Sequence, residues 1–155
     1  MPLSTEETVI IKHILIDDEG LRQFPYLDCC GKEWRKCVCK EKGYLTIGVG
    51  RNLDTVGISD NEAMELEMND IKKLTDSIER SFPWFEKLKT ARRIVVLSMV
   101  FNLGLAGFKE FKKVIKNIES GNFRAAAKEM LYSKWASQVQ GRATRLASIM
   151  ESGQF

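Results

Sequence analysis

Apolar residues recur at helical spacing over most of this chain and at strand-like density over one short stretch. Ser4-Thr5-Glu6-Glu7 has the form of a capping box, and Val9, Ile10, His13 and Ile14 follow about one helical turn apart, which predicts a first helix ending near Asp18. His13, the sole histidine, has no partner cluster nearby and reads as an ordinary, partly buried helix residue. Between Gly43 and Gly50 the β-branched and aromatic residues Tyr44, Thr46, Ile47 and Val49, set among glycines, predict a hairpin strand, the one clear β region. Ser59-Asp60-Asn61-Glu62 is a second capping box, opening a long helix toward Phe82 that Pro83 closes. Met64, Leu66, Met68, Ile71, Leu74 and Ile78 give that helix one broad apolar face, read as core. An apolar helix from about Ile94 to Leu103, a Lys-rich amphipathic one from Phe108 to Ile118, a shorter one starting at Asn122 and a last from about Ala136 to Met150 complete the pattern. No repeat or low-complexity tract interrupts it.

At 155 residues with 44% hydrophobic content, the chain can bury one good core or two small lobes sharing a helix. Apolar runs such as Ile94 to Leu97 fall short of the ~20 residues that span a bilayer, and the N-terminus lacks the basic, apolar and small-residue blocks of a signal sequence. The expectation is a protein made in the cytosol with no membrane anchor. A net charge of +3 favours an anionic polymer as partner, and serves solubility equally well. The basic residues are spread along the chain instead of lining one recognition helix, which argues against nucleic acid.

Two carboxylates carry candidate chemistry. Glu19 closes the first helix before Gly20, where the negative helix end and the neighbouring Asp17 and Asp18 favour a protonated acid. Asp28 follows in a stretch with Pro25 and cysteines but no helical period, so it is expected on a loop or hairpin near water, ionised. Unlike acids of this kind suit glycoside hydrolysis, one as proton donor and one as base. Spacing alone does not single them out, since most such pairs are solvated surface charges.

The wider pattern does. Glu19-Gly20-Leu21-Arg22, Tyr26, Asp28 and Gly43-Tyr44-Leu45-Thr46-Ile47-Gly48-Val49-Gly50 are followed, in order, by Arg92-Arg93, Met99-Val100-Phe101-Asn102, Gly107-Phe108, Phe123 with Ala125-Ala126, Ser133-Lys134-Trp135 and Arg142-Ala143-Thr144-Arg145. From about Ile14 to Gly153 this resembles the phage-type lysozymes, the muramidases typified by the T-even phage enzyme. The resemblance implies a mainly α, α+β lysozyme-like fold of two lobes in a single lysozyme domain. A small hairpin lobe would cover about 15–60, a linking helix about 60–81, and a helical lobe about 84–155 packed with the N-terminal helix.

For chemistry, the resemblance implies that Glu19 protonates the leaving oxygen of the β-1,4 link between N-acetylmuramic acid and N-acetylglucosamine. Asp28 activates a water held with Thr46, whose hydroxyl can donate and accept; by composition alone Thr46 is simply a good strand former. Inversion is the expected outcome, which needs carboxyl groups about 6.5–9.5 Å apart, against about 5–5.5 Å for retention. Phe101, Asn102 and Lys134 fall at substrate-side positions, and Arg142 at that of the support for Glu19. Helix-end packing and a solvated lysine explain the first three equally well. No cofactor is implied. The expected partner is bacterial peptidoglycan, met by a monomer that is made in a host cytoplasm and reaches the wall through a separate pore, or is carried in a virion. A lytic transglycosylase needs the acid but not the water pair, and a non-catalytic wall-binding or virion protein needs neither.

Two departures from the family stand out. Arg51 occupies a position where histidine is common, which removes a titrating ion pair but no catalytic atom. Residues 29–42 are inserted between Asp28 and Thr46, and if they loop out as an extension of the hairpin, the two still meet. All four cysteines, Cys29, Cys30, Cys37 and Cys39, lie in that insertion. Disulfides across a hairpin, a zinc ion on four thiolates and free thiols all fit, although Cys-Cys-x6-Cys-x-Cys lacks the usual Cys-x2-Cys knuckles. Trp34, with Lys32, Arg35 and Lys36, either forms an edge that touches glycan or packs on the lobe.

Overall fold

A computed structural model describes residues 3–41 and 43–155. The chain divides into two compact units, one ending at Ala63 and the other starting at Met64. Among the described residues there are seven α-helices and one three-stranded antiparallel sheet of order β1-β2-β3, so the fold is α+β and mainly α, as expected.

In the first unit, α1 (Thr5–Glu19) starts with the predicted box. Ser4 Oγ accepts from the Glu7 amide at 3.2 Å, and the Glu7 carboxylate accepts from the Ser4 amide at 2.7 Å. The helix stops at Gly20, whose amide donates to the Ile16 carbonyl and whose φ of 73° turns the chain out of the helical path. No side chain of α1 is buried, His13 included, which corrects its expected partial burial.

The chain then enters β1 (Arg22–Leu27), a strand absent from the sequence reading. Pro25 inside it argues against a strand, but β1 is at the sheet edge, where a missing amide is tolerated, and its register slips between Arg22 and Tyr26. The predicted strand is shorter than expected: β2 covers Leu45–Gly48, turns at Val49-Gly50, and pairs with β3 (Arg51–Asn52).

Helix α2 (Asp60–Ser81) opens on the Ser59 box, with the Ser59 amide and hydroxyl both donating to Glu62 at 2.8 Å. Ile78 is fully buried and Ile71 and Leu74 are half-buried, but Met64, Leu66 and Met68 are exposed, contrary to the six-residue core face expected. At 22 residues the helix is about 33 Å long, and its buried and half-buried apolar residues lie in its second half.

The second unit continues with α3 (Thr90–Lys109), α4 (Lys112–Glu119), α5 (Phe123–Leu131), α6 (Lys134–Val139) and α7 (Gly141–Ser152). Two boundaries differ from the periodicity. Gly104, at φ 71°, kinks α3, which runs on through Phe108 to Lys109, so the Lys-rich helix starts only after Phe111. Gln140, the one non-glycine residue with positive φ among those described, splits the expected last helix into α6 and α7. Both are backbone events that leave the apolar spacing intact, so periodicity does not register them.

Ile78, Phe85, Val95, Val96, Met99, Val100, Phe108, Met130 and Met150 are fully buried and form the centre of the core. Helix α3 has the length and, at 1.4, the mean hydropathy of a membrane span, which individual apolar runs do not suggest. Its buried residues and its packing on α7 account for that composition as a core helix.

One charge is built into this core. Arg92 is only 9% exposed; its Nε and Nη2 donate to the carbonyls of Met150 and Glu151, at 2.8 and 2.9 Å, and its guanidinium lies 3.6 Å over the Phe123 ring. It thus satisfies carbonyls that the end of α7 leaves without helical partners. Gly153 makes room: at φ 72°, it would carry a Cβ 2.8 Å from the guanidinium carbon. Replacing Arg92 with Ala leaves both carbonyls without their charged donor, and urea unfolding is expected to show a loss of about 3 kcal/mol.

Candidate active site

Within the first unit, strand pairing places Tyr26 opposite Thr46 and Leu27 opposite Leu45, and the hydrogen bonding runs one residue beyond the strands. The Asp28 amide donates to the Tyr44 carbonyl at 3.2 Å, and Asp28 Oδ1 accepts from the Tyr44 amide at 2.8 Å. Thr46, only 4% exposed, donates its hydroxyl proton to the same Tyr44 carbonyl at 3.1 Å. Asp28 and Thr46 therefore meet at Tyr44, while the first part of the insertion turns back on β1, where the Leu27 amide donates to the Lys32 carbonyl at 3.0 Å and Glu33 bridges to Tyr26. Among the described residues Asp28 Oδ2 takes no hydrogen bond, and Asp28 is exposed, so that oxygen is open to water.

Gly43, at the start of the predicted strand, permits this approach. Gly43 lies against Asp28 and Cys29 so closely that a Cβ would fall on Asp28 Oδ1 and 2.5 Å from the Cys29 amide nitrogen. A glycine directly before the strand, in a chain whose acid must return to that strand, is the available signal. Asp54 was missed; its carboxylate accepts from the Leu45 amide at 2.7 Å and steadies the start of β2 from the other side.

Glu19, at the end of α1, reaches the turn between β2 and β3. A Cβ on Gly50 would lie 3.1 Å from Glu19 Oε2, so the carboxylate rests against bare backbone at that turn. Beyond the turn, Arg51 Nη1 and Nη2 bind both Glu62 oxygens at 2.9 and 3.0 Å, while its Nε donates to the Gly57 carbonyl at 2.7 Å. Where histidine would make a titrating pair, this chain thus has an ion pair whose cationic partner keeps its charge.

The cysteines also converge. All four sulfurs lie within 4.8 Å of one another, with Cys29 and Cys30 at 3.6 and 3.4 Å from Cys37. The backbone amide of Cys39, then the Cys30 thiol, lower Cys37 to about 7, and the crowding thiols, Cys37 foremost, push Cys39 up to about 12. Trp34 is half exposed, with the Arg35 guanidinium 4.9 Å over its ring.

The remaining candidates belong to the second unit. Asn102 Oδ1 accepts from the indole of the buried Trp135 at 2.9 Å, which ties the end of α3's main segment to α6 and leaves the Asn102 amide nitrogen to other partners. Lys134 is exposed on the first turn of α6 and lines a groove with Leu103, Phe111 and Trp135. Phe101 and Arg142, both exposed, line a different groove with Leu97 and Arg145.

The family model described as "Phage lysozyme" matches residues 17–150, and the chain belongs to that family, whose members are lysozyme-type glycoside hydrolases of peptidoglycan. The chain is 28% identical to "Probable T4-type lysozyme 1" of Dictyostelium discoideum over 92% of its own length and 94% of that protein's. Its identity to "Probable T4-type lysozyme 2" of the same organism is 32%, over 62% of this chain and 58% of that one. It is also similar to "Pre-baseplate central spike protein Gp5" of Enterobacteria phage T4, at 24% identity over 99% of this chain and only 29% of the spike protein.

Two outcomes follow from this geometry. Gly43→Ala is expected to push Asp28 off the Tyr44 amide, seen as faster hydrogen exchange at that amide, with an unchanged melting curve for the helical signal. The Ser59 amide first, then its hydroxyl and Arg51, hold the Glu62 carboxyl below its ordinary 4.5. A depressed carboxylate contributes stability that is full above the ordinary value and is lost as pH falls through the depressed one. Glu62→Gln should therefore lower the melting temperature at neutral pH and flatten its fall below about pH 4.5.

Proposed function

We propose that the chain is a muramidase that cleaves the β-1,4 bond between N-acetylmuramic acid and N-acetylglucosamine by acid/base catalysis with inversion. The observation that carries this reading is the meeting of Asp28 and Thr46 at Tyr44 in spite of the insertion. Tyr44 occupies one Asp28 oxygen and the only hydroxyl proton of Thr46. A water at this point donates one hydrogen bond to the Thr46 oxygen and loses its other proton to Asp28 Oδ2 as it attacks. Glu19 is the proton donor to the leaving sugar oxygen. Arg142 is assigned the support of Glu19, and Phe101, Asn102 and Lys134 the binding of glycan, on their match to the family's motifs. No cofactor takes part.

The role proposed is bacteriolytic, of the endolysin kind, by a monomer that acts on the wall after passing a separate pore. The similarity to a phage spike protein favours a second placement, in which the same activity is carried on a virion.

Peptidoglycan digestion by wild type and Glu19→Gln tests the reading. Loss of activity by about 10²–10⁴-fold in the variant, with reducing muramic ends from the wild type and the α-anomer formed first, is the expected result. Anhydro ends would assign a transglycosylase, a first-formed β-anomer a retaining route, and equal behaviour of the two proteins a binding role.

A further inference from the structure

The mechanism leaves the cysteine cluster unused. We propose that Cys29, Cys30, Cys37 and Cys39 bind one zinc ion, and that this ion locks the insertion in the form that holds Asp28 in place; this consequence for Asp28 rests on the muramidase reading above.

Convergence is the first argument. A tetrahedral ion with Zn–S bonds of about 2.3 Å sets its sulfurs about 3.8 Å apart. The sulfurs at 3.4 and 3.6 Å, and the 4.8 Å limit on every pair, bracket that spacing. Two disulfides require only that each sulfur meet one partner, whereas a single ion requires that all four meet, and here all four do.

Chain geometry compensates for the irregular spacing of the cysteines. After β1 the backbone makes a tight turn in which the amides of Cys30 and Gly31 both donate to the Leu27 carbonyl and Gly31 takes a φ of 62°. The turn brings Cys29 and Cys30 to the same side as Cys37 and Cys39, so it does the work of the missing Cys-x2-Cys knuckle.

Charge and size point the same way. Four thiolates around a divalent cation carry a net −2, and residues 29–42 hold five basic side chains against two acidic ones. The insertion has little apolar material of its own to bury: Val38 and Trp34 are exposed, and among its described residues regular structure amounts to a single bridge from Glu33 to Tyr26 and a one-turn 3-10 helix at Trp34–Lys36. A loop so poor in core holds one shape by a cross-link or a metal. Soft thiolates and tetrahedral S4 geometry select zinc over magnesium or calcium.

Cys29 directly follows Asp28, and Gly43, which touches both, precedes Tyr44. The ion would therefore brace the two ends of the insertion where they enter the Asp28–Tyr44 pair.

The test uses the full chain, reduced and freed of metal by a strong chelator, then titrated with Co²⁺ and Zn²⁺. One equivalent of Co²⁺ should give the thiolate-to-cobalt charge-transfer band and the intense visible bands of a tetrahedral tetrathiolate site, and Zn²⁺ should bleach them. Cys37→Ser should weaken binding about a hundredfold or more, and zinc should raise the wall-clearing rate of the metal-free protein about tenfold or more. Reduced wild type that gives no tetrahedral cobalt spectrum would overturn the proposal, whether or not the variant folds. So would protein purified without chelator that contains two disulfides and no zinc. Metal binding with no wall clearing by either form would instead defeat the muramidase reading and leave the metal site standing.

Discussion

Two hydrogen bonds between Asp28 and Tyr44 are the constraint on which the small unit's chemistry depends. They continue the β1–β2 pairing past the last strand residues, close a loop across sixteen positions, and aim one carboxylate oxygen while leaving the other to water. Entropy explains why so long a detour is tolerated. Each doubling of a flexible loop costs only ~0.6 kcal/mol, about what one ordinary hydrogen bond returns. What the detour demands is space at its neck, and Gly43 supplies it.

The second unit rests on a different kind of constraint. Its centre is packed from Met, Val, Phe and Ile, a composition that fills irregular volume but does little to fix where helices stop. Arg92 does that for α7: a guanidinium bound to the helix's last carbonyls and stacked on Phe123 sets the helix end against the core. A buried cation is costly unless every donor is directed, and here the helix terminus provides the acceptors. The chain thus uses backbone polar groups at the ends of elements, more than side-chain pairs, to settle its geometry.

Glycines mark the places where the functional groups come closest to backbone. Gly20 turns the chain from α1 toward β1, and Gly50 lets the Glu19 carboxylate lie against the β2–β3 turn. With Gly43, they flank each element that presents a proposed catalytic group.

Read alone, the chain determined the helix starts at Ser4 and Ser59, the end of α2 before Pro83, the presence of β2 and the family itself. The elements rest on local spacing or local hydrogen bonding, which are written in neighbouring residues, and the family on a resemblance of motifs, in order, along nearly the whole chain. Tertiary structure decided the rest. It made a strand of Arg22–Leu27 despite Pro25, because an edge position spares the missing amide, and it split the last helix at Gln140 without disturbing its apolar period. It left Met64 and Met68 uncovered in the first half of α2. Above all, it brought Asp28 to Thr46 and gathered four sulfurs into one cluster. Such contacts join residues far apart in sequence, and their energies depend on what faces them across space, which no local pattern records.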